Sequence, residues 1–141
     1  MKTKKLTLAS ASVLALLLFA LTAAAPFASA QRPAGVHIDW TIVLSGPPLN
    51  GMTPIGNSDY EVQNTFRRFE ADCDQVNVPD GTLLDVRVNG KFVGSFRTLD
   101  QGGALILTGV RAPNVTKGTK VSINFHNGPA IVSGHYLGDR R

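Results

Sequence analysis

The chain has 141 residues, 14 Lys+Arg against 10 Asp+Glu, and a single cysteine. That length suits one domain of ordinary size, and one cysteine excludes an intramolecular disulfide framework. Lys2, Lys4 and Lys5 take three of the cations, so residues 31–141 carry 11 basic against 10 acidic groups, too even a balance for a long-range field that gathers nucleic acid or membrane.

Residues 1–30 have the form of a bacterial-type secretory signal peptide. The three lysines form a basic start, Leu6 to Leu21 is an uncharged apolar run, and Ala28-Ser29-Ala30 offers small residues at a cleavage site. The run is short for a membrane anchor, so the expected mature chain starts at Gln31, lies outside the cytoplasm (periplasmic or secreted) and has no membrane span. The expected organisation is a signal peptide at 1–30, one β-domain at 31–137 and a frayed tail at 138–141.

From His37 the chain reads as short strands. Ile38, Trp40, Ile42 and Leu44 alternate with His37, Asp39, Thr41 and Val43, the period of two of a strand with one buried face. Gly46-Pro47-Pro48 ends it, Asn50-Gly51 predicts a tight turn, and Met52 to Asn57 reads as loop. Between Tyr60 and Val78 the apolar parity changes from even (Tyr60, Val62, Phe66) to odd (Phe69, Ala71, Cys73). A bulge or bend near Arg67-Arg68 would reconcile the halves; a helix over 58–68 competes, though its Val, Thr and Phe favour strand.

Pro79-Asp80-Gly81 predicts a turn, and Asn89-Gly90 a type I′ hairpin between Leu83–Val88 and Lys91–Thr98. A simple register there sets Val86 opposite Val93 and Leu84 opposite Ser95. Gly102-Gly103 turns into a buried strand at Ala104–Leu107, Ala112 to Gly118 is loop, and Val121, Ile123 and Phe125 mark another strand. Asn127-Gly128 then leads into Ala130–Tyr136, a register that sets His126 opposite Pro129 and His135 opposite Lys120. Seven or eight short antiparallel strands indicate an all-β fold: a two-sheet, immunoglobulin-like sandwich is the first expectation, a small β-barrel the alternative.

Val78-Pro79-Asp80-Gly81-Thr82, Val86-Arg87-Val88-Asn89-Gly90 and Val93-Gly94, with the later Ala112-Pro113-Asn114-Val115 and Gly118-Thr119, form a cadence. It resembles a group of poorly characterised secreted bacterial β-domains with a P-D-G-T … V-x-V-N-G … V-G pattern, over roughly Leu49 to Tyr136. The resemblance implies architecture and brings no active site.

Glu70, Asp72 and Asp74 share a predicted strand face with Arg68, and Asp80 follows the next turn. Such carboxylates can ligate Ca²⁺. Successive same-face residues nevertheless lie about 6–7 Å apart along a strand, and a charged face that discourages edge pairing is the simpler reading. His37 shares a face with Asp39, while His126 and His135 fall at opposite ends of their hairpin, so no histidine cluster is expected. Cys73 has the parity of a buried residue rather than a nucleophile. Ser133-Gly134-His135 lacks the strand-to-helix setting of a nucleophile elbow, and no phosphate loop is present. Phe66-Arg67-Arg68-Phe69 and Phe92–Arg97 interleave aromatics and cations as single-strand binders do, but core Phe beside solvated Arg explains them in a near-neutral chain.

The expectation is an exported, non-enzymatic β-domain without catalytic residues or cofactor, acting by binding or structural association, with protein partners on exposed strand edges and no nucleic acid. The alternative is a small metal- or ligand-binding carrier or enzyme using the acidic strand face or His37/Asp39. A surface-fibre subunit is a third reading. Oligomeric state is not fixed by these residues.

Overall fold

A computed structural model describes residues 35–138; the expected signal peptide and residues 139–141 lie outside the described residues. The elements are β1 (His37–Ser45), β2 (Ile55–Gln63), β3 (Phe66–Asp74), β4 (Leu83–Val88), β5 (Lys91–Arg97), β6 (Gly103–Thr108), a single 3-10 turn at Gly109–Arg111, β7 (Lys120–Phe125) and β8 (Ala130–His135). All pairings are antiparallel, in one sheet of order β5-β4-β7-β8-β1-β2-β3-β6.

The two end strands of that order, β5 and β6, are consecutive in the chain. The turn Leu99–Gly102 joins them, with Asp100 and Gln101 at φ 49° and 66° and reciprocal main-chain bonds of 2.8 and 3.1 Å. Phe96 of β5 lies over Gly103 of β6, where an added Cβ would sit 2.6 Å from the ring, and Leu105 of β6 packs on Gly94 of β5. The sheet therefore curls until its edges meet through side chains and is nearly closed into a barrel. Of the two all-β architectures open to these strands, the barrel alternative is the one adopted, because eight strands in one twisted sheet bring both inner faces round a common core.

That core holds Leu44, Tyr60, Phe69, Leu84, Val86, Ile123 and Tyr136, with Ala71 and Cys73 also fully enclosed. The apolar parities of β1, β3, β4 and β7 all point inward as their alternation requires. Truncating one of the fully buried aliphatics to Ala would cost about 2–5 kcal/mol.

Several local expectations are corrected. Residues 55–57 belong to β2 rather than a loop. The inward positions at the start of β2 are Gly56, where a Cβ would collide with the Asp72 carbonyl oxygen of β3, and the buried Ser58, so apolar alternation begins only at Tyr60. The parity change before Phe69 comes from a two-residue hairpin turn at Asn64-Thr65, not a bulge or helix: Val62 pairs with Arg67 and Tyr60 with Phe69. Asn64 takes φ 58°, a conformation its short polar side chain tolerates. In the β4–β5 hairpin, Asn89-Gly90 has the positive φ of a type I′ turn (49° and 78°), but Val93 is bulged out and Val86 pairs with Gly94, Leu84 with Phe96. The bulge turns Phe96 to the core side that the simple register would deny it. Near the β7–β8 turn the register also shifts, so Asn124 meets Ala130 and Phe125 N–H, not His126, bonds to Pro129; Lys120 does pair with His135.

The Pro-Asp-Gly-Thr cadence is turn chemistry here. Asp80 Oδ1 accepts the Asp100 N–H at 3.0 Å, Thr82 Oγ1 donates to Pro79 O, and buried Thr98 donates to the same carbonyl. Asn89 likewise reaches β7, accepting from Lys120 N–H at 2.8 Å.

β1 and β8 meet where Gly46 and Gly134 let two main chains approach. A Cβ on Gly46 would collide with the Ile131 carbonyl oxygen, and one on Gly134 would stand 2.6 Å from Val43 O. Backbone cannot yield as a flexible side chain does, so Gly134→Ala should lower unfolding free energy by about 1–3 kcal/mol, measured by urea denaturation; an unchanged midpoint would contradict this packing.

Candidate functional site

β1 is asymmetric. On one side it pairs with β2 at nine positions, from His37↔Gln63 to Ser45↔Ile55. On the other it pairs with β8 at a single position, Ser45↔Ser133. β8 instead follows the β7 side as it leaves the barrel: Tyr136 N–H bonds to Thr119 O and Gly118 N–H to Tyr136 O, at 3.0 and 2.6 Å. The two strands thus part around a groove of about 500 Å³, walled by Asp39–Val43 of β1 and by His135–Gly138.

Its floor is aromatic. Trp40 lies against Tyr60 and Tyr136, with ring centroids 6.3 and 6.1 Å apart and tilted planes, within the favourable range for aromatic pairs. Tyr136 is 1 % exposed, and its hydroxyl lies 2.8 Å from Ser58 Oγ. Ser58 gives its own proton to Glu70 O at 2.8 Å, so the phenol donates in this relay. Burial pushes the Tyr136 phenol up, an effect only partly offset by the bond to Ser58, and the donor keeps its proton at any physiological pH. Above the floor, Thr41 donates to Asp59 at 2.5 Å, and Val43 and Leu137 are exposed at the rim. A second, smaller apolar hollow of about 250 Å³ lies among Pro47, Pro48, Leu49, Phe125 and Pro129–Ile131.

The residues singled out from sequence do not converge. Glu70 is engaged by Arg68. Asp72 accepts from Asn57 N–H and Nδ2, while burial raises its carboxyl above the ordinary range, reinforced by Asp74 and Glu70. Asp74 lies beside the close approach of Gly102. His37 and Asp39 are exposed on β1 opposite Gln63 and Glu61, and His135 Nδ1 stands 3.4 Å from Gly118 O. Among the described residues, no group of three or more His, Cys, Asp or Glu side chains is placed to hold a metal ion, and no helix is long and apolar enough to cross a membrane. Cys73 is fully buried and its thiol pushed up to about 12, chiefly by burial, which leaves no thiolate to react. Phe69 is core, whereas Phe66 and Phe92 are about half exposed.

One polar cluster has no clear mark in the sequence. Asp85, 1 % exposed on β4, meets His126 Nδ1 at 3.0 Å and accepts the Asn127 N–H at 3.3 Å, with Arg87 3.9 Å away. These partners stand 41 and 42 residues along the chain and are brought together by β4–β7 pairing. An Asp–His pair is the arrangement that orients a general base, but His126 Nε2 faces Asn127 Nδ2 at 3.0 Å, and the Ser122 hydroxyl is spent on Asn124. The cluster therefore fixes the β7–β8 turn to β4.

No family model matches the chain, and no curated protein or solved structure does.

Two outcomes test this geometry. Tyr136→Phe should lower stability by about 1 kcal/mol, the worth of one hydrogen bond whose partner keeps another, seen by denaturation; a loss near zero would place the phenol in water. The hydrogen bond from His126 holds the Asp85 carboxyl below its ordinary value of 3.8, against the opposing effect of burial. Its stabilisation is accordingly complete above that value and disappears as pH falls through the lower folded-state value. Asp85→Asn should flatten the fall in stability below pH 3.8 and reduce stability at neutral pH; an unaltered pH profile would contradict the pairing.

Proposed function

We propose that this is an exported, non-enzymatic β-domain that binds by taking an extended polypeptide segment onto the free edge of β1. The observation that carries the reading is the asymmetry of β1, nine paired positions on one side and one on the other, beside an aromatic-floored groove. Free main-chain donors and acceptors along a strand are a template for another strand. A segment laid there would bond to them through its backbone and would set alternate side chains over Trp40 and Ile42. The leader-like residues 1–30 support a location outside the cytoplasm.

Trp40 is the only tryptophan and lies in the groove floor, so its emission reports occupancy. The purified protein titrated with a seven-residue peptide of alternating Thr and Val should give a saturable change in Trp40 emission. The same peptide N-methylated at alternate residues should give none, because it has lost the main-chain donors. Equal responses to the two peptides, or none to either, would overturn strand addition.

A further inference from the structure

We infer that the segment received by the β1 edge is cationic: an extended peptide with Lys or Arg at alternate positions and apolar side chains between them. The inference rests on the strand-addition reading above and adds the chemistry of the partner.

It follows from what lies on the outer face beside that edge. A strand added to β1 would direct one set of its side chains inward, over Trp40 and Ile42, and the other set outward in line with Asp39, Thr41 and Val43. The next strand places Glu61 beside Asp39 and Asp59 beside Thr41, and the third places Glu70 beside Asp59 and Asp72 beside Asn57. With Asp74 at the end of the third strand, opposite Ile55, six carboxylates thus share this outer face within three strands of the open edge. Among the described residues, the only ion pair in the group is Arg68–Glu70; Arg68 stands opposite Glu61 in the register but is engaged by Glu70, Asp39 is in no ion pair, and Asp59 has only the Thr41 hydroxyl.

Reach favours this use of the charge. Adjacent strands lie about 4.8 Å apart, so a lysine or arginine on the added strand meets Asp39 directly, and its long stem extends towards Glu61. Opposite charges directly across a strand pair stabilise a sheet and like charges destabilise it. The same rule disfavours a second copy joined edge to edge through β1, which would bring two Asp39 and Glu61 sets onto one continuous face. It also gives the edge selectivity, because an acidic or neutral strand could use the main chain but would leave the carboxylates uncompensated.

The test compares three seven-residue peptides, alternating Lys/Val, Thr/Val and Glu/Val, by Trp40 emission on the purified protein at low and physiological salt. The inference expects the Lys peptide to bind about five- to tenfold tighter than the Thr peptide at low salt and the Glu peptide weakest, with the spread narrowing as salt rises. Asp39→Asn with Glu61→Gln should bring the affinities for the Lys/Val and Thr/Val peptides to within about twofold of each other. Both positions are outward-facing on β1 and β2, and far-ultraviolet circular dichroism and the thermal midpoint verify that the variant is folded. Equal binding of all three peptides would overturn the cationic partner and leave strand addition standing, whereas binding of none would overturn both. Sedimentation showing a dimer that the Thr/Val peptide dissociates would assign the edge to a second copy. A variant ending at Gly138 that binds all three peptides equally more tightly would assign it to the chain's own residues 139–141. Either result overturns the inference.

Discussion

The hydrogen bond from Tyr136 to Ser58 spans the place where the sheet's own ladder stops. β1 and β8 share one paired position, so below it the barrel wall is not held by main-chain bonds. The Tyr136 side chain crosses beneath β1 instead and ends on Ser58 of β2, which passes the contact to Glu70 O of β3. A buried phenol and a buried hydroxyl would each be costly without a partner, and together they satisfy one another and tie the end of β8 to the opposite strands. Trp40 rests on the same ring. The groove therefore has a rigid floor although its walls are unpaired.

The barrel has two discontinuities, and they differ in kind. At β5–β6 the gap is filled, with Phe96 over Gly103 and Leu105 against Gly94, and the Leu99–Gly102 turn holds the strands at one end. At β1–β8 the main chains touch where Gly46 and Gly134 permit it and then diverge, because the Tyr136 backbone is bonded to Gly118 and Thr119. A filled seam offers a partner nothing to displace. An open one beside exposed Val43 and Leu137 leaves both apolar surface and backbone polarity available, the combination that strand addition uses.

Local chemistry made much of the fold legible. Alternation in β1 and β7, and the turns at Asn50-Gly51, Pro79-Asp80-Gly81 and Asn89-Gly90, are encoded within a few residues, and the structure has them where the pattern places them. What escaped was set by distant contacts. Gly56 and Ser58 hide the start of β2: the close approach of β3 leaves no room for a side chain at Gly56, and the Ser58 hydroxyl serves the distant Tyr136 and Glu70. Asn64-Thr65 and Asp100-Gln101 turn the chain without a glycine in the central positions. The bulge at Val93 exists because Phe96 gains the core. The candidate site was the least legible, because its two walls come from the first and last strands, and their single paired position can be known only after the whole sheet has been assembled. The acidic residues were visible as a strand face; their relation to an open edge was not.

The most direct test of the account is amide hydrogen exchange along β1 in the unliganded protein, read residue by residue by NMR. In an antiparallel strand, successive N–H groups point to opposite sides. Exchange should alternate through Ile38–Val43, slow for amides bonded to β2 and fast for those directed to the β8 side. Uniform slow exchange along the strand would mean that the second edge of β1 is already paired, and would contradict the open edge on which the account rests.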